Sequence, residues 1–62
     1  MAAPILRFFK SEHLPPKLAA VSAPFQALAE DLDQRLPDGP EKSAGLRKLL
    51  EAKDCCVRAC LD

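Results

Sequence analysis

The chain has 62 residues, with nine cationic and nine anionic side chains, 48% apolar residues, six prolines and two glycines. One domain is the ceiling at this length, and such a chain buries only about 60% of the surface its unfolded form exposes, so a lone core leaves little net stability. A formal charge of zero argues against a surface built to coat a DNA or RNA duplex or to bind anionic lipid, since both need a cationic excess. The longest apolar runs, such as Leu18 to Val21, fall far short of the roughly 20 residues a bilayer span requires.

Met1 to Pro4 lacks the charged start and long apolar stretch of a secretory signal. A reducing cytosol is therefore expected, with Cys55, Cys56 and Cys60 kept as thiols. Three cysteines crowded near one end cannot make a disulfide framework. Partner copies of the chain become the expected source of extra burial.

In chain order, Met1 to Leu14 is read as an arm: it holds Phe8 and Phe9 but shows no sustained helical or strand period. The Pro15-Pro16 pair suits a helix start, where a missing amide hydrogen costs nothing. Leu18, Val21, Phe25, Leu28 and Leu32 then repeat the three-then-four spacing of a helix seam, which predicts a first helix over 15–36. Pro24 removes one ladder bond inside it, so a kink is expected, or a break recapped by Ser22. Leu36 to Pro40 is dense in turn formers, and Pro40 suits the first position of a second helix, predicted over 40–61 and antiparallel to the first. That helix carries Leu46, Leu50, Val57 and Leu61 on one strip and Leu49, Ala52, Cys56 and Ala59 on an adjoining one. One partner helix covers a single strip, so the wider apolar arc points to hairpins packed on further hairpins. The expected fold is an all-α, antiparallel helical hairpin with a kinked first helix and a short N-terminal arm, assembled as a homo-oligomer.

Few residues carry chemistry. His13 is the sole histidine and has no companion nucleophile at a useful spacing, so a surface role suits it best. Cys56 and Cys60 lie one helical turn apart, but two thiolates do not complete a tetrahedral metal site, and small buried apolar residues are the plainer reading. Glu30, Asp31 and Asp33 read as a solvated acidic face. With no catalytic triad, phosphate-cradling glycine loop or zinc signature in the sequence, no enzyme, cofactor or metal is expected.

The cations are more informative. Arg47, Glu51, Asp54 and Arg58 form one stripe on the second helix, by default an ion-pair ladder. Lys53 interrupts the strip of Leu46, Leu50 and Val57, as a snorkelling side chain or a cation at a subunit seam. In the arm, Arg7-Phe8-Phe9-Lys10 combines cations with aromatic rings, a pairing suited to stacking a base and holding a phosphate, or else the rings pack over the end of the hairpin. Arg7, Phe8, Phe9, Lys10, Lys53 and Arg58 are the candidate ligand-binding residues.

The run from Leu28-Ala29 through Leu36-Pro37, then Pro40-Glu41-Lys42-Ser43, Leu46, Leu49, Glu51-Ala52 and Val57-Arg58-Ala59, resembles the helical-hairpin sponges of bacteriophage, the anti-CBASS proteins and their anti-Thoeris relatives. The Pro-x-x-x-Glu-x-Ser turn, Pro37 to Ser43, is its most specific part. His13 to Pro16 and Leu46 to Asp54 are also similar to segments of short actinobacterial-phage proteins. The resemblance implies a non-enzymatic oligomer, often a hexamer, in the cytoplasm of a bacterial host. It would sequester a cyclic di- or trinucleotide, with an arm aromatic at Phe8 or Phe9 on a base and basic side chains on the phosphates. The match puts Ser22 where the family has a basic residue, leaving Lys10, Lys17 or Arg58 to supply that charge. The contrasting reading is a small helical scaffold that docks a host protein through Phe8, Phe9 and the wide apolar strip and takes no small molecule.

Overall fold

The computed structural model describes residues 3–61; Met1, Ala2 and Asp62, the outermost residues of the expected arm and domain, lie outside them. The described residues are mostly helical and contain no strand. Two long helices, α1 (Pro16–Arg35) and α2 (Pro40–Ala59), pack against each other. Each is about 30 Å long at 1.5 Å per residue, and the four residues between them span at most about 14 Å, so the chain can only fold back antiparallel.

Proline sets both helix starts. Pro15 precedes α1, where its carbonyl accepts the first bond from the Ala19 amide at 2.8 Å, and Gly39 precedes α2, where it accepts from Ser43 at 3.1 Å. Neither helix has a side-chain cap. The boundaries fall within two residues of those expected. α1 runs as a single element through Pro24, so of the expected kink or break, the break is not there. Pro24 and Ala20, whose carbonyl loses its partner to the proline, are both exposed, and water can serve the freed oxygen.

The arm is not irregular. Pro4–Phe9 forms a 3₁₀ helix, a tight form with three residues per turn. Two such turns over six residues are too short to register against a 3.6-residue period, yet they place Leu6 and Phe9 one above the other. Phe9 is fully buried and forms the core with Ala29, Leu46 and Leu50, while Ile5 and Leu6 pack partly buried against it. Polar contacts also tie the arm to α1: the Ala3 amide donates to Asp33 Oδ1 at 3.3 Å, and Ser11 Oγ donates to Gln26 Oε1 at 3.2 Å.

The Asp33–Lys42 ion pair, 3.0 Å long, fixes the register of the hairpin. Stepping back along α1 and forward along α2 by fours and threes sets Ala29 level with Leu46, Phe25 with Leu50, Ser22 with Lys53 and Leu18 with Val57. Ala29, Leu46, Leu50, Ser22 and Lys53 are all buried, and Leu18, Phe25 and Val57 half-buried. The seam therefore has apolar layers in the middle and one polar layer toward each end. No helix among the described residues is long and apolar enough to cross a membrane.

Candidate functional site

The six expected ligand-binding residues do not come together. The arm presents Arg7, Phe8 and Lys10 at the surface, with the Arg7 guanidinium carbon 4.8 Å from the centroid of the Phe8 ring and Phe8 52% exposed. That is cation–π geometry on an open surface. Phe9 points the other way. Its ring is 0% exposed in this protomer, so it has no surface to offer a ligand. The two phenylalanines thus divide the two roles read from the sequence, Phe9 packing the core and Phe8 facing outward, because neighbours on a helix differ in direction by 100–120°.

Lys53 is held in the seam. Its side chain is 11% exposed and its ammonium lies 3.0 Å from Asp54 Oδ1, so the charge is already partnered. Arg58 is exposed and donates from Nη2 to Cys55 Sγ at 3.3 Å. It stands about 13 Å along the axis from the level where Ser11 meets Gln26. Among the described residues, no hydrogen bond or ion pair joins the arm cations to Lys53 or Arg58. The charged stripe on α2 closes one pair, Arg47 to Glu51 at 3.4 Å; Asp54 turns to Lys53 instead.

Three other expectations are corrected. Asp33 is not part of a solvated acidic face: its side chain is 8% exposed, whereas Glu30 and Asp31 are exposed and make local contacts to Gln26 and Arg35. Cys55 and Cys56 are exposed and Cys60 half-buried, so they do not act as core residues of the protomer. Ser22 is fully buried, and its hydroxyl has no hydrogen-bond partner. It neither recaps α1 nor stands where this protomer could present it to a ligand.

The polar group with the most partners was not singled out from the sequence. Lys42, 7% exposed, directs its ammonium at Asp33 Oδ1 (3.0 Å), the Asp33 carbonyl (2.9 Å) and Asp38 Oδ1 (2.9 Å). All three N–H donors of an ammonium are thereby used. Asp33 also receives the arm through the Ala3 amide. The Lys42 hydrogen bond, joined by that of Ala3, holds the Asp33 carboxyl below its ordinary pKa against the opposing effect of burial. Asp38 first, then Asp33, hold the Lys42 ammonium above its ordinary value. The signal was present in the spacing: Lys42 precedes Leu46 by one turn on the strip that continues through Leu50.

A cleft of about 360 Å³ opens beside this cluster, between Ala3, Pro4 and Ile5 of the arm and Lys42, Ser43 and Leu46 of α2. Its lining pairs its one ammonium, Lys42, with the Asp38 carboxylate, so that cation is already engaged and phosphate is poorly served. The outward arm residues, not this cleft, have the chemistry to meet an anionic, base-bearing ligand. Among the described residues, no group of three or more His, Cys, Asp or Glu side chains is placed to hold a metal ion. No family model, curated protein or solved structure matches this chain.

Proposed function

We propose that the chain is a non-enzymatic sponge, a homo-oligomer of which a hexamer is the favoured form, that binds and sequesters a cyclic di- or trinucleotide second messenger. In this reading it is a viral anti-defence protein acting in the cytoplasm of a bacterial host, where capture of the signal silences CBASS-type immunity. The observation that supports it is the arm surface: Arg7 and Phe8 stand together, exposed, with Lys10 exposed nearby. An aromatic face contributes about 1–3 kcal/mol per stacked base, and the cations assist hydrogen bonds to phosphate. Capture requires no bond to be broken, so no nucleophile is needed. Phe9 and Lys53 take no part in this version of the site; Arg58 joins it only if another copy brings its α2 end to the arm.

The competing reading is a helical scaffold that docks a host protein without a small molecule; the exposed side chains of Leu28, Leu36 and Leu61 favour it. Calorimetric titration with a panel of cyclic di- and trinucleotides separates the two. The sponge predicts binding, intact nucleotide recovered on denaturation, and loss of at least about tenfold in affinity in Phe8→Ala/Lys10→Ala, with helicity unchanged. No heat with any nucleotide leaves the scaffold.

A further inference from the structure

One side of the hairpin is covered by the arm, and the opposite side is bare. Gln26 and Asp33 receive the arm on α1. Turning around α1 by about 100° per residue brings Val21, Phe25, Leu28 and Leu32 to the other flank, level with Leu49 and Cys56 of α2. These six residues form a continuous apolar face with no charged side chain inside it. Leu28 is 47% exposed, Cys56 is exposed, and the rest are half-buried. The rim carries both signs: Lys17, Asp31 and Arg35 beside α1, Glu41 and Lys48 beside α2.

Gly45 sits on the same face of α2. Glycine is the poorest helix former after proline, and a Cβ built at Gly45 would meet nothing within 4 Å. The protomer has no packing use for it. A helix crossing at that point would, because a residue without a side chain lets two backbones approach closely.

The area agrees. The chain exposes 4463 Å², whereas a compact monomer of 6.8 kDa exposes about 4,000 Å². The excess of roughly 500 Å², spread over an elongated hairpin of 36 × 18 × 15 Å, leaves surface to bury toward the ~800 Å² that each partner contributes to a standard interface.

We propose that this face docks a second copy of the chain about a two-fold axis, making a four-helix bundle with the two arms on its outer sides. An isologous contact suits a face that is apolar throughout with a mixed-charge rim, since each rim charge can meet its opposite on the other copy. The proposal adds the position of a seam to the oligomer of the sponge reading, and it stands whether or not a nucleotide binds. The arms remain exposed, so the Arg7–Phe8 surface would line clefts between dimers rather than the seam within one.

Sedimentation equilibrium without nucleotide tests it. The wild-type chain is expected to form dimers, or assemblies of dimers, with a melting temperature that rises with protein concentration. Leu28→Glu is expected to weaken the dimer contact by at least about 100-fold, because each copy brings a carboxylate to the seam. Gly45→Lys, which improves helix propensity and so retains the fold, is expected to do the same with undiminished helical circular dichroism. Phe8→Glu on the arm side should leave the dimer intact. A wild-type chain that stays monomeric at 100 µM (about 100-fold above a Kd of 1 µM) overturns the proposal and leaves the face to another partner. An oligomer unaffected by Gly45→Lys overturns it equally. Failure of the sponge reading would show separately, as an absent titration heat for a chain that still dimerises.

Discussion

The two polar layers of the hairpin seam both enclose their side chains, and their outcomes are opposite. Near the turn, Asp33 and Lys42 are almost fully enclosed, and every donor of the ammonium has an oxygen within 3.0 Å. Near the far end, Ser22 and Lys53 stand level, yet the Ser22 hydroxyl is unpaired and Lys53 finds its partner in Asp54, next to it in sequence. The first layer joins α1, the turn, α2 and the arm; the second joins nothing across the seam. An enclosed polar group stabilises a fold when its hydrogen bonds are complete and weakens it when they are not. The turn end is therefore the well-specified half of the molecule.

Four changes break or sharpen this contrast. The largest effect belongs to Phe9→Ala, which empties the place where the arm enters the core between the two layers. A loss of about 3–5 kcal/mol is expected, comparable with the whole stability of a domain this small, and denaturant unfolding measures it. Lys42→Met comes next: it leaves the enclosed Asp33 carboxylate without its cation and with the Ala3 amide as its remaining donor, and destabilisation with loosening of the arm should appear as faster amide exchange over Ala3 to Phe9. Ser22→Ala should act in the opposite sense at the other layer. It removes an unpaired hydroxyl and is expected to be neutral or to raise stability by up to about 1 kcal/mol, seen as a higher melting temperature. Smallest is Arg47→Ala, which deletes an exposed pair with Glu51 and should cost at most about 0.5 kcal/mol.

The same contrast sets the pH response. Asp33 has a lowered pKa in the folded state, so its contribution is complete above the unfolded value near 4 and is lost as pH falls through the folded value. Lys42 has a raised pKa, so its contribution is complete below about 10.4 and is lost as pH rises through the folded value. A melting-temperature scan should show both limbs, and Asp33→Asn should flatten the acid one.

Much of this fold is legible in the chain, for reasons that can be named. Prolines at the helix starts and a tight connector bounded α1 and α2 to within two residues, since proline's missing amide is tolerated at a first turn and poorly elsewhere. The apolar spacing from Leu18 onward found the apolar side of α1 but not its seam: the buried positions are Ser22 and Ala29, and Leu28, expected in the seam, is 47% exposed. The arm was expected, but its 3₁₀ helix was missed because six residues make too few turns to show a period. Phe8 and Phe9 could not be assigned separately, since adjacent identical rings differ in fate only through the direction each takes from a backbone whose conformation was not in view. Asp33 was grouped with Glu30 and Asp31 by composition, although it lies on the same side of α1 as Ala29 and Ser22. Of the candidate site, the cation and ring at Arg7–Phe8 came together; Lys53 did not join them, because its position on the seam overrode its charge.

The Asp33 carboxylate closes two loops of different length. Lys42 lies nine residues away and Ala3 thirty. Closing a longer loop costs more chain entropy, so the nine-residue closure is expected to form first during folding and to wait, half satisfied, for the thirty-residue one. Zipping then proceeds outward from Lys42 toward Val57, and the arm arrives last, on an acceptor already in place. A mixing experiment followed by pulsed amide labelling should find Leu46 and Leu50 protected before Leu6 and Phe9.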